Sequence, residues 1–396
     1  MKKNYFFLFF AVCCTAAACI KTDDTVATDP SLAQNEQLHL NEIQVIASHN
    51  SYRLRTTDTV FKAIENLYAQ GFITGGDLNP QGLDYTHVDF NAQFSNFGVR
   101  GVEIDIYNDP QGGMYATRRI NQYVALPDTI KDVPELNAPG FKVLHIKDVD
   151  YNTHYYTFKQ SLEALKKWSD THPTHLPLFV NVETKKDGPA DNAALAALGF
   201  MPALPFDAAA CDALDAEIKE VFGASLDKIL TPDKIRGSLP TLNTVVTQKK
   251  WLTLGEARGK IVFIMQGNAE TPYRTGHPSL QGRAMFVYAE AGTPEAAFVI
   301  LTGSVGDKAL IQQRVREGYI VRTRADSDTR EARTGDYKTM NAAFESGAQI
   351  ISTDYYRPDL RGMPNWTDYC VKFPDAAIAR KNPVNAANIK VEVAIR

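Results

Sequence analysis

Strand-like and helix-like segments alternate along this chain, and that alternation restricts its fold more than any other feature. Apolar runs at 43–47, 99–107, 141–148, 178–183, 260–266, 298–302, 319–326 and 349–354 read as strands. Between them, 60–69, 88–97, 158–168, 208–222, 310–317 and 337–346 carry apolar residues at helical spacing, clearest in Phe158, Leu162, Leu165 and Trp168. Strands separated by helices must run parallel, because each helix carries the chain back to where the next strand starts. Eight such strands is the count of a (β/α)8 TIM-type barrel, so the fold expected is α/β. Segments 85–140 and 283–287 fit the pattern poorly and 235–254 reads as a mostly polar connection, so the barrel is expected to be irregular. With no internal repeat and no interdomain linker, residues 38–396 are expected to form one catalytic domain.

The N-terminus has a different character. Lys2 and Lys3 precede an apolar run from Tyr5 to Cys14, and Thr15-Ala16-Ala17-Ala18-Cys19 follows, so 1–19 reads as an export signal. Three small residues before Cys19 resemble a bacterial lipobox. That likeness implies an exported lipoprotein, facing the periplasm, outer membrane or cell surface, attached to a membrane through lipidated Cys19; plain secretion is the alternative. Residues 20–37, rich in Thr, Asp and Ala, read as a tether. Cys13, Cys14 and Cys19 fall in the signal, leaving Cys211 and Cys370 either to pair or to remain separate thiols. A formal net charge of -4 without a Lys/Arg block argues against a nucleic-acid partner and leaves room for a small anionic substrate.

A parallel barrel gathers the C-terminal ends of its strands on one face. On this reading the face collects His49 and Asn50, then Glu103 and Asp105 from one side of an alternating strand, then His145 and Glu183. Three acids and an amide form a hard-oxygen set. It suits Ca²⁺ or Mg²⁺, with Ca²⁺ favoured because Mg²⁺ keeps more of its water. Taken singly, Asp105 or Glu183 could pair with Arg322 or Arg324, and His145 could be a hydrogen-bonded core histidine. Taken together, acids buried on neighbouring strands need a cation.

His49-Asn50, Glu103-x-Asp105, His145 and Glu183 stand in the order of the catalytic barrel of phosphoinositide-specific phospholipases C, and the chain resembles the secreted, calcium-dependent microbial branch of that family. The likeness extends through 141–148, Trp168-Ser169, His172-Pro173-x-His175-Leu176-Pro177, Trp251 to Val262 with its Leu254–Lys260 centre, 321–329 and 351–355. It implies a phospholipase C-like phosphodiesterase architecture with Ca²⁺ held by Asn50, Glu103, Asp105 and Glu183. It also implies Glu103 or Glu183 as the base for the inositol 2-hydroxyl, His49 as the acid for the diacylglycerol oxygen and His145 as a hydrogen-bond donor to the phosphorane. The first product would be a cyclic 1,2-phosphodiester.

Placement suggests further roles. Arg324 and Arg322 are expected to contact phosphate or inositol, or else to bridge to barrel acids. Asp354 should orient His49 through its second nitrogen, and Lys185 lies near the same rim as a substrate-binding candidate. His87, His154, His172, His175 and His277 read as surface or packing histidines. No Lys/Arg cluster is visible for the rim, which favours phosphatidylinositol or a glycosylated form over a polyphosphorylated lipid. Membrane access is assigned to the lipid anchor or to the apolar loop 151–156. The rival readings are a glycerophosphodiester phosphodiesterase and a non-catalytic surface lipoprotein that binds inositol or glycans; oligomeric state stays open.

Overall fold

The computed structural model describes residues 34–72, 79–126, 133–374 and 377–388; the signal segment and Cys19 lie outside the described residues. Its strands are β1 (Ile43–Ser48), β2 (Gly101–Tyr107), β3 (Lys142–Val143), β4 (Leu178–Thr184), β5 (Ile261–Gly267), β6 (Phe286–Val287), β7 (Phe298–Ile300), β8 (Ile320–Arg324), β9 (Ile350–Thr353) and β10 (Ala379–Lys381). Eight of these are parallel and follow the order β6-β5-β4-β2-β1-β9-β8-β7. One parallel bridge, Tyr288 to Phe298, links the two ends and nearly closes the barrel. The six helices of eight residues or more among the described residues are α1 (Asp58–Ala69), α2 (Phe90–Phe97), α3 (Phe158–Thr171), α4 (Ala208–Phe222), α5 (Lys308–Glu317) and α6 (Lys338–Ser346).

The expected barrel is present, but one of its strands is not the expected one. The run at 141–148 pairs with β2 only at Lys142–Val143, antiparallel, and sits off the ring. Its apolar residues Phe141, Val143, Leu144 and Ile146 are buried all the same, which is why the run has the composition of a barrel strand. The missing member is β6, only two residues long and inside the segment that fitted poorly; a strand that short shows no period to read. Segment 235–254 is not a plain connection, since it carries the end of the helix Pro232–Arg236 and all of Leu242–Thr247. The tether also ends earlier than expected. Asn35 and Leu38 are buried, and the Glu36 carboxylate accepts two hydrogen bonds from Arg258 Nε at 2.8 and 2.9 Å.

Local chemistry explains the helix limits. In α3, Thr157 accepts from the Gln160 backbone and Gln160 reaches back, while Phe158, Leu162, Leu165 and Trp168 are buried. In α2, Asp89 caps the start, and Gly98, at φ 67°, ends the helix where a Cβ would be strained. The chain then enters β2 at Gly101, where a Cβ would stand 2.5 Å from that of Ala47. That close approach brings β1 and β2 together below the barrel end from which His49 and Asn50 emerge. Along β2, Val102, Ile104 and Ile106 join the main apolar core, while Glu103 and Asp105 turn to the opposite face.

Candidate active site

Strand register brings the acids together. β2 and β4 pair with Asp105 opposite Glu183 and Glu103 opposite Asn181, and β4 and β5 pair with Glu183 opposite Gln266. Opposite residues on neighbouring strands point the same way, and Glu103 shares a face with Asp105 two residues on. One oxygen from each of Glu103, Asp105 and Glu183 lies within 4.8 Å of the other two. Like charges opposite one another in a sheet repel, so the arrangement requires cations.

Glu103 has the most partners. Arg322 Nη2 donates to its Oε2 at 2.6 Å, Asn181 Nδ2 to its Oε1 at 2.8 Å, and the Asn50 backbone N–H to Oε2 at 3.3 Å. Burial would raise its pKa, but the Arg322 charge overcomes that and holds the carboxyl below its usual range. Asp105 is the opposite case. Both of its oxygens are buried without a hydrogen-bond partner, and burial together with the Glu183 charge pushes its carboxyl well up. Lys185 Nζ stands 3.5 Å from Asp105 Oδ2 and 3.2 Å from Glu183 Oε1. A buried carboxylate with neither oxygen hydrogen-bonded, next to two others, is what a hard divalent ion would satisfy, and every donor in the set is an oxygen. Asn50, held at φ 45° and lining the same cavity, adds an amide. The residues present therefore fit Ca²⁺.

His49 follows β1 directly. Its Nδ1 donates to Asp354 Oδ1 at 2.8 Å, and Arg324 Nη1 donates to its Nε2 at 3.0 Å. A guanidinium cannot accept, so Nε2 carries the lone pair here and Nδ1 the hydrogen. Arg324 Nη2 also reaches Asp354 Oδ2 at 2.9 Å. Burial favours the protonated Asp354, yet His49 and Arg324 hold its pKa well below the usual carboxylate range. His87 fixes the backbone of the site, since its Nε2 donates to the His49 carbonyl at 2.7 Å. Behind Asp354, Asp326 accepts from the Asp354 backbone N–H at 2.9 Å and from the Thr353 hydroxyl.

His145 reaches the same cavity by another route, from the loop beyond β3. Its Nδ1 donates to Asp150 Oδ2 at 2.7 Å, and Arg53 Nε donates to that same oxygen at 2.5 Å. Burial lowers the His145 pKa, with Asp150 opposing. The two histidines thus have matching support, a carboxylate on Nδ1 and an arginine on the carboxylate. A cavity of about 210 Å³ is lined by His49, Asn50, Glu103, Asp105, His145, Glu183, Lys185, Arg322, Arg324 and Asp354, so every site residue expected from the sequence within the described residues borders one space.

Some details differ from the sequence reading. Arg322 is only 3 % exposed and takes the salt-bridge alternative, bound to Glu103, Gln266 and Ser352. Arg324 is committed to His49 and Asp354. Arg53, Asp150, Asn181, Gln266 and His87 were not foreseen as site residues; Arg53 and Asp150 could have been sought three residues after Asn50 and five after His145, where a loop can fold back on itself. The rim does carry a guanidinium cluster, formed by Arg55, Arg333 and Arg361, but all three turn onto Asp84 at 2.5–2.6 Å. Loop 151–156 is not an exposed apolar patch, because Tyr151 is buried and Tyr155 and Tyr156 are half-buried. Leu360 and Met363, in the loop after β9, are 83 % and 76 % exposed instead. Cys211 and Cys370 are separate thiols.

A family model described as phosphoinositide phospholipase C, Ca²⁺-dependent, matches residues 38–383. No curated protein sequence matches the chain at a significant level. Among solved structures, the barrel is similar to a calcium-dependent phosphoinositol-specific phospholipase C from the Gram-negative bacterium Pseudomonas sp, in a myo-inositol complex, at 13 % identity and a TM-score of 0.52, covering 89 % of this chain and 99 % of that one. A Ca²⁺-dependent phosphatidylinositol-specific phospholipase C from Streptomyces antibioticus aligns at 13 % identity, with 81 % and 95 % covered and a TM-score of 0.48. A glycerophosphoryl diester phosphodiesterase assignment from Silicibacter pomeroyi aligns at 12 % identity, with 82 % and 94 % covered and a TM-score of 0.35.

Proposed function

Because the chain belongs to the Ca²⁺-dependent phosphoinositide phospholipase C family and is a phosphodiesterase, we propose that it cleaves phosphatidylinositol-type lipids between phosphate and diacylglycerol. The nucleophile is the inositol 2-hydroxyl of the substrate itself. One observation carries this reading: two histidines with carboxylate-held Nδ1 atoms border the same cavity as three converging acids. An attacking group inside the substrate needs no water and gains the advantage of an intramolecular reaction.

Glu183 is the better-placed base. Its side chain is 22 % exposed at the cavity wall and accepts at 3.2 Å from Lys185 and 3.3 Å from Gln266, whereas the Glu103 oxygens accept at 2.6 Å from Arg322 and 2.8 Å from Asn181. Asn50, Glu103, Asp105 and Glu183 would hold Ca²⁺, which when bound lowers the pKa of a hydroxyl and offsets phosphate charge. A substrate phosphate offers Arg324 a charged acceptor in place of the His49 ring, which releases Nε2. His49 then takes up a proton at Nε2, stabilised by Asp354, and delivers it to the departing diacylglycerol oxygen. His145, held by Asp150, donates to a phosphoryl oxygen as charge builds there. The 2-oxygen–phosphorus bond forms, the phosphorus–diacylglycerol bond breaks, and the cyclic phosphodiester leaves.

Substrate presentation belongs to the same proposal. Leu360 and Met363 project from the rim that carries the site, which suits approach to a lipid surface. The three rim arginines, Arg55, Arg333 and Arg361, are already tied to Asp84, which supports a plain or glycosylated headgroup over one with extra phosphates. Export with a lipid on Cys19 supplies standing membrane contact, and mass spectrometry of the mature N-terminus tests it: an unmodified Cys19 or cleavage elsewhere would refute that part. The activity is tested by ³¹P NMR of phosphatidylinositol vesicles and of glycerophosphoinositol, with Ca²⁺ or chelator. Cyclic inositol phosphate formed only with Ca²⁺ is expected. Glycerol 3-phosphate as the main product would assign glycerophosphodiester hydrolysis instead, and binding without turnover a non-catalytic role.

A further inference from the structure

Lys185 is two residues beyond Glu183, so a strand-like backbone returns its side chain to the face that carries the acids. Its backbone N–H continues the pairing with β2, donating to the Ile106 carbonyl at 3.0 Å. Its side chain is 12 % exposed, and Nζ lies between Asp105 Oδ2 at 3.5 Å and Glu183 Oε1 at 3.2 Å. Arg322 meanwhile covers Glu103 from the other side at 2.6 Å. With all three carboxyls ionised, they and the two cations sum to one net negative charge. A divalent ion on the same oxygens would reverse that sign, with an ammonium beside it.

We propose that Lys185 is the internal counter-ion of Asp105 and Glu183 in the metal-free protein, and that metal binding displaces its ammonium. Lys185 thereby holds the acids together without metal and raises the Ca²⁺ concentration at which the site fills. This inference rests on reading Glu103, Asp105 and Glu183 as a Ca²⁺ site. It gives Lys185 a role in metal affinity instead of substrate contact.

The test compares the full chain with Lys185→Met, which keeps the length and removes the charge. Calorimetric titration with CaCl₂ should show the variant binding roughly tenfold more tightly, as expected on removing a unit charge close to a divalent ion. Thermal unfolding in chelator should start lower for the variant and rise further on adding Ca²⁺. Lys185→Arg should bind like the parent. In the wild-type chain, acylation of Lys185 by an amine-reactive ester, read by mass spectrometry, should speed up when CaCl₂ is added. That measurement does not depend on any variant folding. Ca²⁺ affinity unchanged or weakened in Lys185→Met, or unchanged acylation, overturns the inference, and a raised KM for lipid with unchanged Ca²⁺ affinity returns Lys185 to the substrate. If the wild-type chain itself binds no Ca²⁺ at millimolar concentration, the metal-site reading fails and this inference fails with it.

Discussion

Replacing Arg322 with Met tests how the barrel interior tolerates its acids. Arg322 and Glu103 are 3 % and 1 % exposed, joined at 2.6 Å, and Arg322 also donates to Gln266 Oε1 at 3.2 Å and Ser352 Oγ at 3.1 Å. Methionine fills much of the space but leaves Glu103 buried with its strongest partner gone. Breaking one side of a buried pair costs about 3–5 kcal/mol. Unfolding entropy of about 2.1 cal/mol/K per residue, over a domain of roughly 350 residues, converts this to a fall in Tm of about 4–7 °C. His49, whose Nε2 lies 3.8 Å from Glu103, and Arg324 remain nearby and place the expected value at the lower end. Differential scanning fluorimetry in chelator should show that fall. In saturating Ca²⁺ the gap between variant and wild type should shrink, because a cation then meets the orphaned carboxylate. The double variant Arg322→Met/Glu103→Gln should lose less than Arg322→Met alone, since no buried charge is left. An unchanged Tm in chelator, or a double variant as unstable as the sum of the singles, would falsify the account of Glu103 given above.

His49→Ala and His145→Ala should each lower turnover of phosphatidylinositol by about 10²-fold or more while the far-UV circular dichroism stays that of the wild type; near-normal initial rates would remove either residue from the chemistry. Gly101→Val should abolish soluble expression or cut Tm steeply, because even a Cβ would sit 2.5 Å from Ala47, and a wild-type melting curve would show that β1 and β2 can separate without cost. Burial pushes the His87 imidazole down to about 3. The unfolded chain therefore takes up a proton near pH 6.5 that the folded chain refuses, and this share of stability is complete above pH 6.5 and declines as pH falls towards 3. At pH 5 the loss is about 2 kcal/mol. Asp326 and Glu217, both pushed up to about 7 by burial, act in the opposite sense, so the clean readout is the difference between wild type and His87→Gln. Denaturant titrations at pH 7.5 and 5 should show wild type losing about 2 kcal/mol more than the variant, and parallel losses would mean His87 is not held neutral by the fold.

Local pattern carried much of this protein. Period-two alternation in β2 places Glu103 and Asp105 on one face whatever β2 pairs with, and helical spacing with Thr157 and Gln160 marks α3 before any tertiary contact forms. Strand-end positions picked out His49 and Glu183 for the same reason: an apolar run stops where the chain leaves the barrel wall. What local pattern cannot encode is partnership. The apolar run at 141–148 is buried in a hairpin excursion and looks like a barrel strand because burial, not pairing direction, sets its composition. Phe286–Val287 is a true member of the ring and too short to show a period. The Asp105–Glu183 juxtaposition depends on the register between β2 and β4, and the supports of the two histidines come from residues as distant as Asp354 for His49 and as near as Asp150 for His145. Hydrogen bonds and ion pairs act over a few ångströms of space irrespective of chain separation. Sequence alone therefore named the acids and histidines, and only the folded sheet decided which arginine and which carboxylate each of them would face.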